Sequence, residues 1–372
     1  MALGTSINDS AHSGFANAAN NLQTRLNTLY GSQAVWQPHF QSMFDRWSSI
    51  SGLNYRFEAA DDGAAITTGV FPTGVTGVRA DVRIGGKTLD GNNGVLAYNY
   101  FPNIAEMVID TNDTFYNDLS NNSLKLRNVL AHEHGHGVGM DHVDPTVGNF
   151  LMEPFLNTGF DGPQYHDILI AHRGYGDVNE KSFAGLGNDV STRATSFGAI
   201  ANNQTVSVGN DAANLPVAFN EVDFVSIDDT SDQDFYSFTV ANGGAVSVFL
   251  DSLGMTYTVG PQGGPTAPFN TDQRSDLSLA LIGTNGSTVL QSANATGLGG
   301  AENILFNLSG AGTYFVRING VDNADASQID TQFYRLSISM VPEPATYGLL
   351  SVLGVGALIY SRRKSLRKMV AA

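Results

Sequence analysis

The apolar residues of this chain change their period once, near residue 190, and that change limits what it can fold into. Before it they recur at three- and four-residue intervals. Phe15, Leu22, Leu26 and Leu29, then Trp36, Phe40, Met43, Phe44, Trp47 and Ile50 mark residues 15–50 as helical. Short strands are expected at 53–58, 77–84, 94–100 and 106–110. A helix should start at the polar run near Ser123 and reach about Gly139, and another should cover 165–173. Beyond residue 190 strict alternation takes over: Tyr236, Phe238 and Val240; Val246, Val248 and Leu250; Leu277, Leu279 and Leu281. Ile304, Phe306 and Leu308, then Tyr314, Val316 and Ile318, then Tyr334, Leu336 and Ile338 continue it, between Gly-, Asn- and Asp-rich turns. The expected architecture is an α+β domain, a mixed sheet plus helices, over 1–176. A linker at 177–195, an all-β antiparallel sandwich over 196–340 and a terminal segment, 341–372, follow. At 372 residues the chain can bury two cores.

Charge narrows the partners. The formal net charge is −16, and the last 32 residues hold five Lys/Arg against one Glu, so residues 1–340 carry 14 basic and 34 acidic side chains, or −20. Phosphate recognition needs clustered Lys and Arg, so nucleic acid is excluded as an expected partner. The absence of cysteine removes disulfides, thiolate zinc sites and thiol nucleophiles. At the C-terminus, Val341, Pro342, Glu343 and Pro344 lead into an apolar stretch of about 16 residues and then a basic cluster, a little short for an ordinary membrane span. A plain anchor helix reads from this pattern. The order of parts also resembles the PEP-CTERM sorting signal of Gram-negative bacteria. That resemblance implies a short transmembrane helix, export to the cell surface or medium, transient inner-membrane anchoring, and an exosortase as processing partner. No signal peptide is visible at MALGTSINDSAHSGF, so leader codons are expected upstream of Met1.

Chemistry concentrates in HEHGHGVGMDH, 132–142, which holds four of the eight histidines. On a helix, His132 and His136 project from one face toward a common point. Gly139 can end the helix and let the chain reverse, bringing His142 back as a third nitrogen ligand. Three histidines with one position left open is the pattern of a catalytic zinc site, whereas a structural site fills all four. Such a metal activates water and polarises a carbonyl. The adjacent Glu133 would take the water's proton and pass it to the leaving amine. HExxH alone is short enough to arise by chance, and adding Gly139 and His142 at their offsets makes a chance match far rarer. A solvated histidine-rich loop is the bland alternative. His134 points off the ligand face and reads as a bystander, as do His12, His39, His166 and His172.

The motif resembles the metzincin zinc peptidase signature, with His132, His136 and His142 as ligands of one catalytic zinc and Glu133 as general base. FLMEP supplies Met152 for the family's Met-turn. The matrixins are the nearest subfamily: GVLAYNYFP (94–102), with Gly94, Val95, Leu96 and Ala97, resembles their substrate-binding edge strand, MVIDTNDTFY the strand and acidic turn after it, and YHDILIAHRGYG their closing helix. The resemblance implies a zinc endopeptidase acting on extracellular protein or peptide substrates. Departures refine it. Tyr98 stands where a structural-zinc histidine is usual, so a second zinc is not expected. Val143 replaces a usual Ser, Pro154 makes a tyrosine ligand unexpected, and no cysteine-switch propeptide can exist. Asp110 and Asp113 could help hold calcium, though a solvated turn reads equally well.

SIDDTSDQDFYSFTV and Gly312-Thr313-Tyr314 resemble the bacterial pre-peptidase C-terminal domain, a β-sandwich beside secreted peptidases. Asp228, Asp229, Asp232 and Asp234 could bind calcium there, or form a solvated acidic turn. A second function class stays open: a surface adhesion or matrix protein whose sandwich does the work and whose peptidase domain has lost activity. The intact Glu133 argues against it.

Overall fold

A computed structural model describes residues 1–67, 73–145, 149–213, 215–322 and 330–341. The terminal segment from Pro342 onward, with its expected transmembrane helix, lies outside the described residues. Among those described, no helix is long and apolar enough to cross a membrane.

The N-terminal half mixes helices and small sheets. The helical stretch is two helices, Leu22–Tyr30 and Gln33–Ser49, broken at Gly31, whose φ of 85° suits glycine. Phe15 lies outside both and stacks on Tyr98 at 5.8 Å. Gln33–Ser49 packs on the histidine-bearing helix, Ser120–Gly137: Trp47 is buried, and its indole N–H donates to the Ala131 carbonyl at 3.3 Å. The regular turns of that helix begin just after Ser123, close to the expected start, but Ser123 does not cap them. Asn121, Asn122 and Ser123 have φ of 51–58°, a left-handed turn ahead of the regular helix, and Ser123 Oγ accepts from the Tyr30 hydroxyl instead.

Three strands form a sheet in the order Ile84–Lys87, Met107–Asp110, Ala97–Asn99. The first pair is parallel and the second antiparallel, with Ala97 opposite Ile109, so Ala97–Asn99 is an edge. It is shorter than the expected 94–100: the Asp90 carboxylate captures the Val95 N–H at 3.0 Å, while the Leu96 carbonyl still accepts the Asp110 N–H at 2.8 Å. Residues 53–58 form no strand: Tyr55 faces the core, but Phe57 is 62% exposed and no partner strand among the described residues covers it. The strand expected at 77–84 falls at Ile84–Lys87, since Gly77, at φ 79°, sits in a tight turn bridged by Val75 and Arg79.

The C-terminal half is β-rich, two five-stranded sheets. One runs Val289–Ala293, Ser275–Ile282, Gly312–Asp322, Gln233–Val240, Thr195–Ala199. The other runs Glu302–Leu308, Gly244–Leu253, Gln332–Val341, Thr205–Val208, with Ser226–Ile227 also paired to Gln332–Val341. The alternating residues fill the space between them: Tyr236, Phe238, Val246, Val248, Leu279, Leu281, Val316, Ile318, Leu336 and Ile338 form one buried cluster. The pairing is not wholly antiparallel, because Thr195–Ala199 runs parallel to Gln233–Val240. Residues 177–195 are packed rather than loose. Asp177 is buried and accepts the Ser226 N–H at 3.1 Å, and the Asn188 carbonyl accepts the Phe235 N–H at 3.0 Å.

The two halves share a core. Leu253, Tyr257 and Phe333 of the β-rich half join Trp47, Phe150, Met152 and Tyr165 in one buried cluster. Phe333, fully buried, meets Tyr165 edge-on at 5.3 Å and His172 at 5.1 Å. Burying one such ring stabilises by about 1.5–3 kcal/mol. His166 and His172 sit at this junction, and burial holds each down at about 4. Since that is below the unfolded value near 6.5, the unfolded chain takes up protons that the folded state refuses. Their contribution is therefore complete above pH 6.5 and is lost as pH falls toward 4. Urea titrations at pH 7.5 and pH 5 should differ by about 2 kcal/mol for each ring, and His172→Gln should shrink the difference by one such share.

Candidate metal centre

Each ring of the triad is fixed from behind. His132 Nδ1 faces the Leu151 carbonyl at 2.7 Å, His136 Nδ1 the Met140 carbonyl at 2.7 Å, and His142 Nδ1 the Gln262 side-chain oxygen at 2.8 Å. An oxygen acceptor requires a proton on each Nδ1, which leaves a lone pair on each Nε2. Those lone pairs converge: His142 Nε2 lies 3.0 Å from His132 Nε2 and 3.1 Å from His136 Nε2. Three unprotonated nitrogens at such distances repel unless a cation lies between them. The donor set, three neutral imidazoles with outer acceptors already in place, fits zinc. The structure thus brings His132, His136 and His142 together as a group able to hold a metal ion.

The glycines of HEHGHGVG make this arrangement possible. A Cβ on Gly135 would overlap the Met152 sulfur, so the Met152 side chain seats directly against the helix backbone. A Cβ on Gly137 would stand 2.8 Å from Asn99 Nδ2 of the edge strand. Gly139, at φ 103°, turns the chain, and the Gly139 N–H donates to the His136 carbonyl at 2.9 Å. Asp167 anchors the loop below. Its buried carboxylate accepts N–H groups of Leu151 at 2.7 Å, Met152 at 3.2 Å and Gln164 at 2.8 Å, while burial pushes it up to about 6.

Glu133 lies beside His132, buried, with Oε2 free of any hydrogen-bond partner among the described residues. Burial pushes its carboxyl up to about 8; a cation at the triad acts in the opposite direction. His134 belongs to the core. Its Nε2 meets the Tyr55 hydroxyl at 2.6 Å, and Phe44 and Trp47 pack edge-on against it. Tyr98 donates to Asp9 at 2.6 Å, joined there by Tyr100 and the buried Lys87 ammonium. Although burial raises Asp9, these three donors hold it below its ordinary value.

The acidic residues separate into two kinds. Asp110 uses both oxygens on backbone N–H groups, of Asn112 and Gly91, and Asp113 accepts from Phe115. Neither joins a grouping able to hold a metal among the described residues. Asp232 does, with Glu180 and Asp189, which the alternating pattern gave no reason to single out. Asp228 donates its N–H to Asp232 at 2.9 Å, and Asp234 accepts the Tyr334 hydroxyl at 2.5 Å beside the buried Asp177. Burial, then the charges of Asp234 and Asp228, push Asp232 up to about 10. A cavity of about 950 Å³, lined by Trp36, Phe40, Arg56 and Arg83, shares no residue with the triad.

Residues 20–165 match the matrixin family. Residues 232–320 match the bacterial pre-peptidase C-terminal domain. Metalloendoproteinase 2-MMP of Arabidopsis thaliana is 28% identical over 127 residues, 32% of this chain and 31% of that protein, so this chain spans about a third of that relative's length. Two solved structures overlap the chain. The pre-peptidase C-terminal domain of a Bacillus anthracis collagenase is 16% identical, covering 39% of this chain and 94% of its own, with a TM-score of 0.23. Aeromonas hydrophila PliG, a periplasmic lysozyme inhibitor, is 9% identical, covering 40% and 98%, with a TM-score of 0.20. The family matches support a metallopeptidase hydrolase: a mixed helix and sheet domain followed by a β-rich pre-peptidase-type domain.

Gly135→Ala should force Met152 aside and cost about 1–3 kcal/mol, as overpacking does. Urea midpoints check this, and Gly135→Ala with Met152→Ala should cost less than the sum of the two single changes.

Proposed function

We propose that this chain is a zinc-dependent endopeptidase acting on extracellular proteins, with His132, His136 and His142 as ligands and Glu133 as general base. The convergence of three Nε2 lone pairs, each ring locked from behind, carries this reading. Zinc, when bound, supplies a Lewis acid with one open position. The chain's own residues do the rest. Glu133 Oε2, unpartnered and screened from bulk water, is available to accept a proton from the attacking water and return it to the leaving amine. Ala97–Asn99 pairs on one side only, so an extended substrate can add to its free edge while Gly94, Val95 and Leu96 lead into it. Met152, packed on Gly135, supports the helix from below.

Cleavage of unfolded casein or gelatin by residues 1–340 is expected to need the metal and to fall about 100- to 10,000-fold in Glu133→Ala. Activity that resists chelator, or that survives in the variant, would sink the reading. A purified, zinc-loaded protein that cleaves nothing in a broad peptide library would instead favour the adhesion role of the β-rich half.

Two further expectations belong to this reading. The cluster at Asp232, with Glu180 and Asp189 beside Asp228 and Asp234, is proposed to take calcium, whose oxygen ligands such a group supplies. Saturating calcium should raise the melting temperature over EGTA, the stabilisation amounting to about 2.7 kcal/mol at one hundred times the dissociation constant, and Asp232→Asn should abolish the gain. The sequence beyond Val341 keeps its reading as a sorting signal for export, inner-membrane anchoring and exosortase processing.

A further inference from the structure

A hairpin from the second half of the chain reaches the metal centre. Strands Thr256–Val259 and Ala267–Asn270 pair antiparallel, with Tyr257 opposite Phe269. The hairpin leaves the sandwich between Gly244–Leu253 and Ser275–Ile282. Its base is held in the shared core. The Tyr257 hydroxyl meets His166 Nδ1 at 2.7 Å, its ring packs on Phe150 at 5.1 Å, and Thr271 Oγ1 meets the Tyr165 hydroxyl at 2.9 Å.

Its tip grips the segment that carries the third histidine. The Asp144 N–H donates to the Gly260 carbonyl at 2.9 Å, Gly263 N–H to the Asp144 carboxylate at 2.7 Å, and Val143 bridges Pro261. From the other side, Val143 N–H donates to the Met152 carbonyl at 2.9 Å. Within the tip, Gly264 N–H closes a turn onto the Pro261 carbonyl at 2.9 Å, with Gly263 at φ 67°. That turn presents Gln262, and its side-chain oxygen accepts from His142 Nδ1 at 2.8 Å.

We propose that Gln262 is a positioning residue of the metal centre, so that the second half of the chain completes the zinc site that the first half begins. His132 and His136 are held by carbonyls of Leu151 and Met140, both within the matrixin match; His142 is held by a side chain within the pre-peptidase match. An acceptor on Nδ1 fixes the tautomer and the ring's orientation and raises the basicity of Nε2, and losing such a partner weakens metal binding about 10- to 100-fold. The value of this contact to zinc rests on the peptidase reading; the contact itself does not.

The test uses the full chain and two readouts besides activity. Zinc affinity is measured by chelator competition, with the cobalt(II) visible spectrum reporting ligand geometry. The His142 tautomer is read in the metal-free protein from two-bond proton–nitrogen correlations. Gln262 is exposed at a turn tip, so substitution should leave the melting temperature unchanged. Gln262→Ala is expected to weaken zinc about 10- to 100-fold and to free the His142 ring from its single tautomer. Gln262→Glu, which keeps an oxygen acceptor, should restore both. Wild-type zinc affinity in Gln262→Ala, or an unaltered His142 tautomer there, overturns the proposal. A wild type that binds no zinc while its His142 tautomer still depends on Gln262 sustains the positioning contact and defeats the peptidase reading instead.

Discussion

Three imidazole lone pairs directed at one point constitute the constraint around which this molecule is arranged. Left to themselves, the rings of His132, His136 and His142 would rotate apart or share a proton. Oxygen acceptors behind all three hold the rings in place and keep the proton of each neutral ring on Nδ1. Each acceptor must then be held rigidly, and each comes from a different layer. Met140 belongs to the turn that Gly139 allows. Leu151 belongs to a loop whose N–H groups are pinned by Asp167. Gln262 belongs to a hairpin tip from the other half of the chain.

Asp167 shows how a single buried charge organises such a layer. It starts the closing helix by accepting the Gln164 N–H, and it stops the preceding loop from moving by accepting those of Leu151 and Met152. The Leu151 carbonyl then points at His132, and Met152 lies under Gly135. Burial opposes ionisation of this carboxyl, and three N–H donors favour it. Helix, loop and the His132 ring are therefore coupled through one side chain, which is more than the resemblance of Met152 to a Met-turn implied.

The centre was legible in sequence where its geometry is local. The i, i+4 spacing of His132 and His136, the adjacent Glu133 and the turning Gly139 lie within one helix and its end, so residue type and spacing suffice to place them. The alternating runs after residue 190 were legible for the same reason, since period 2 with buried partners has one stable solution. Residues 53–58 show the limit of such patterns. Tyr55 finds a core partner in His134, but Phe57 finds no second strand, and no local signal distinguishes the cases. The parallel pairing of Thr195–Ala199 with Gln233–Val240 joins segments about 40 residues apart, which alternation alone cannot specify. Gln262 lay furthest from view. In sequence it is one residue of a Gly- and Pro-rich turn, 120 positions from His142.

That long reach explains why the two halves are joined by a core and not by a tether. Orienting His142 to a few tenths of an ångström demands that the hairpin tip not drift, and a tip is only as steady as its base. The base is fixed by Tyr257 against Phe150 and His166, and the sandwich behind it by Phe333 against Tyr165 and His172. Residues 177–195, packed against Ser226 and Phe235, remove the remaining slack. Motion of the β-rich half would thus reach His142 through a short and stiff path. An acidic, disulfide-free chain has few other means of holding such a centre steady, and here aromatic packing does it.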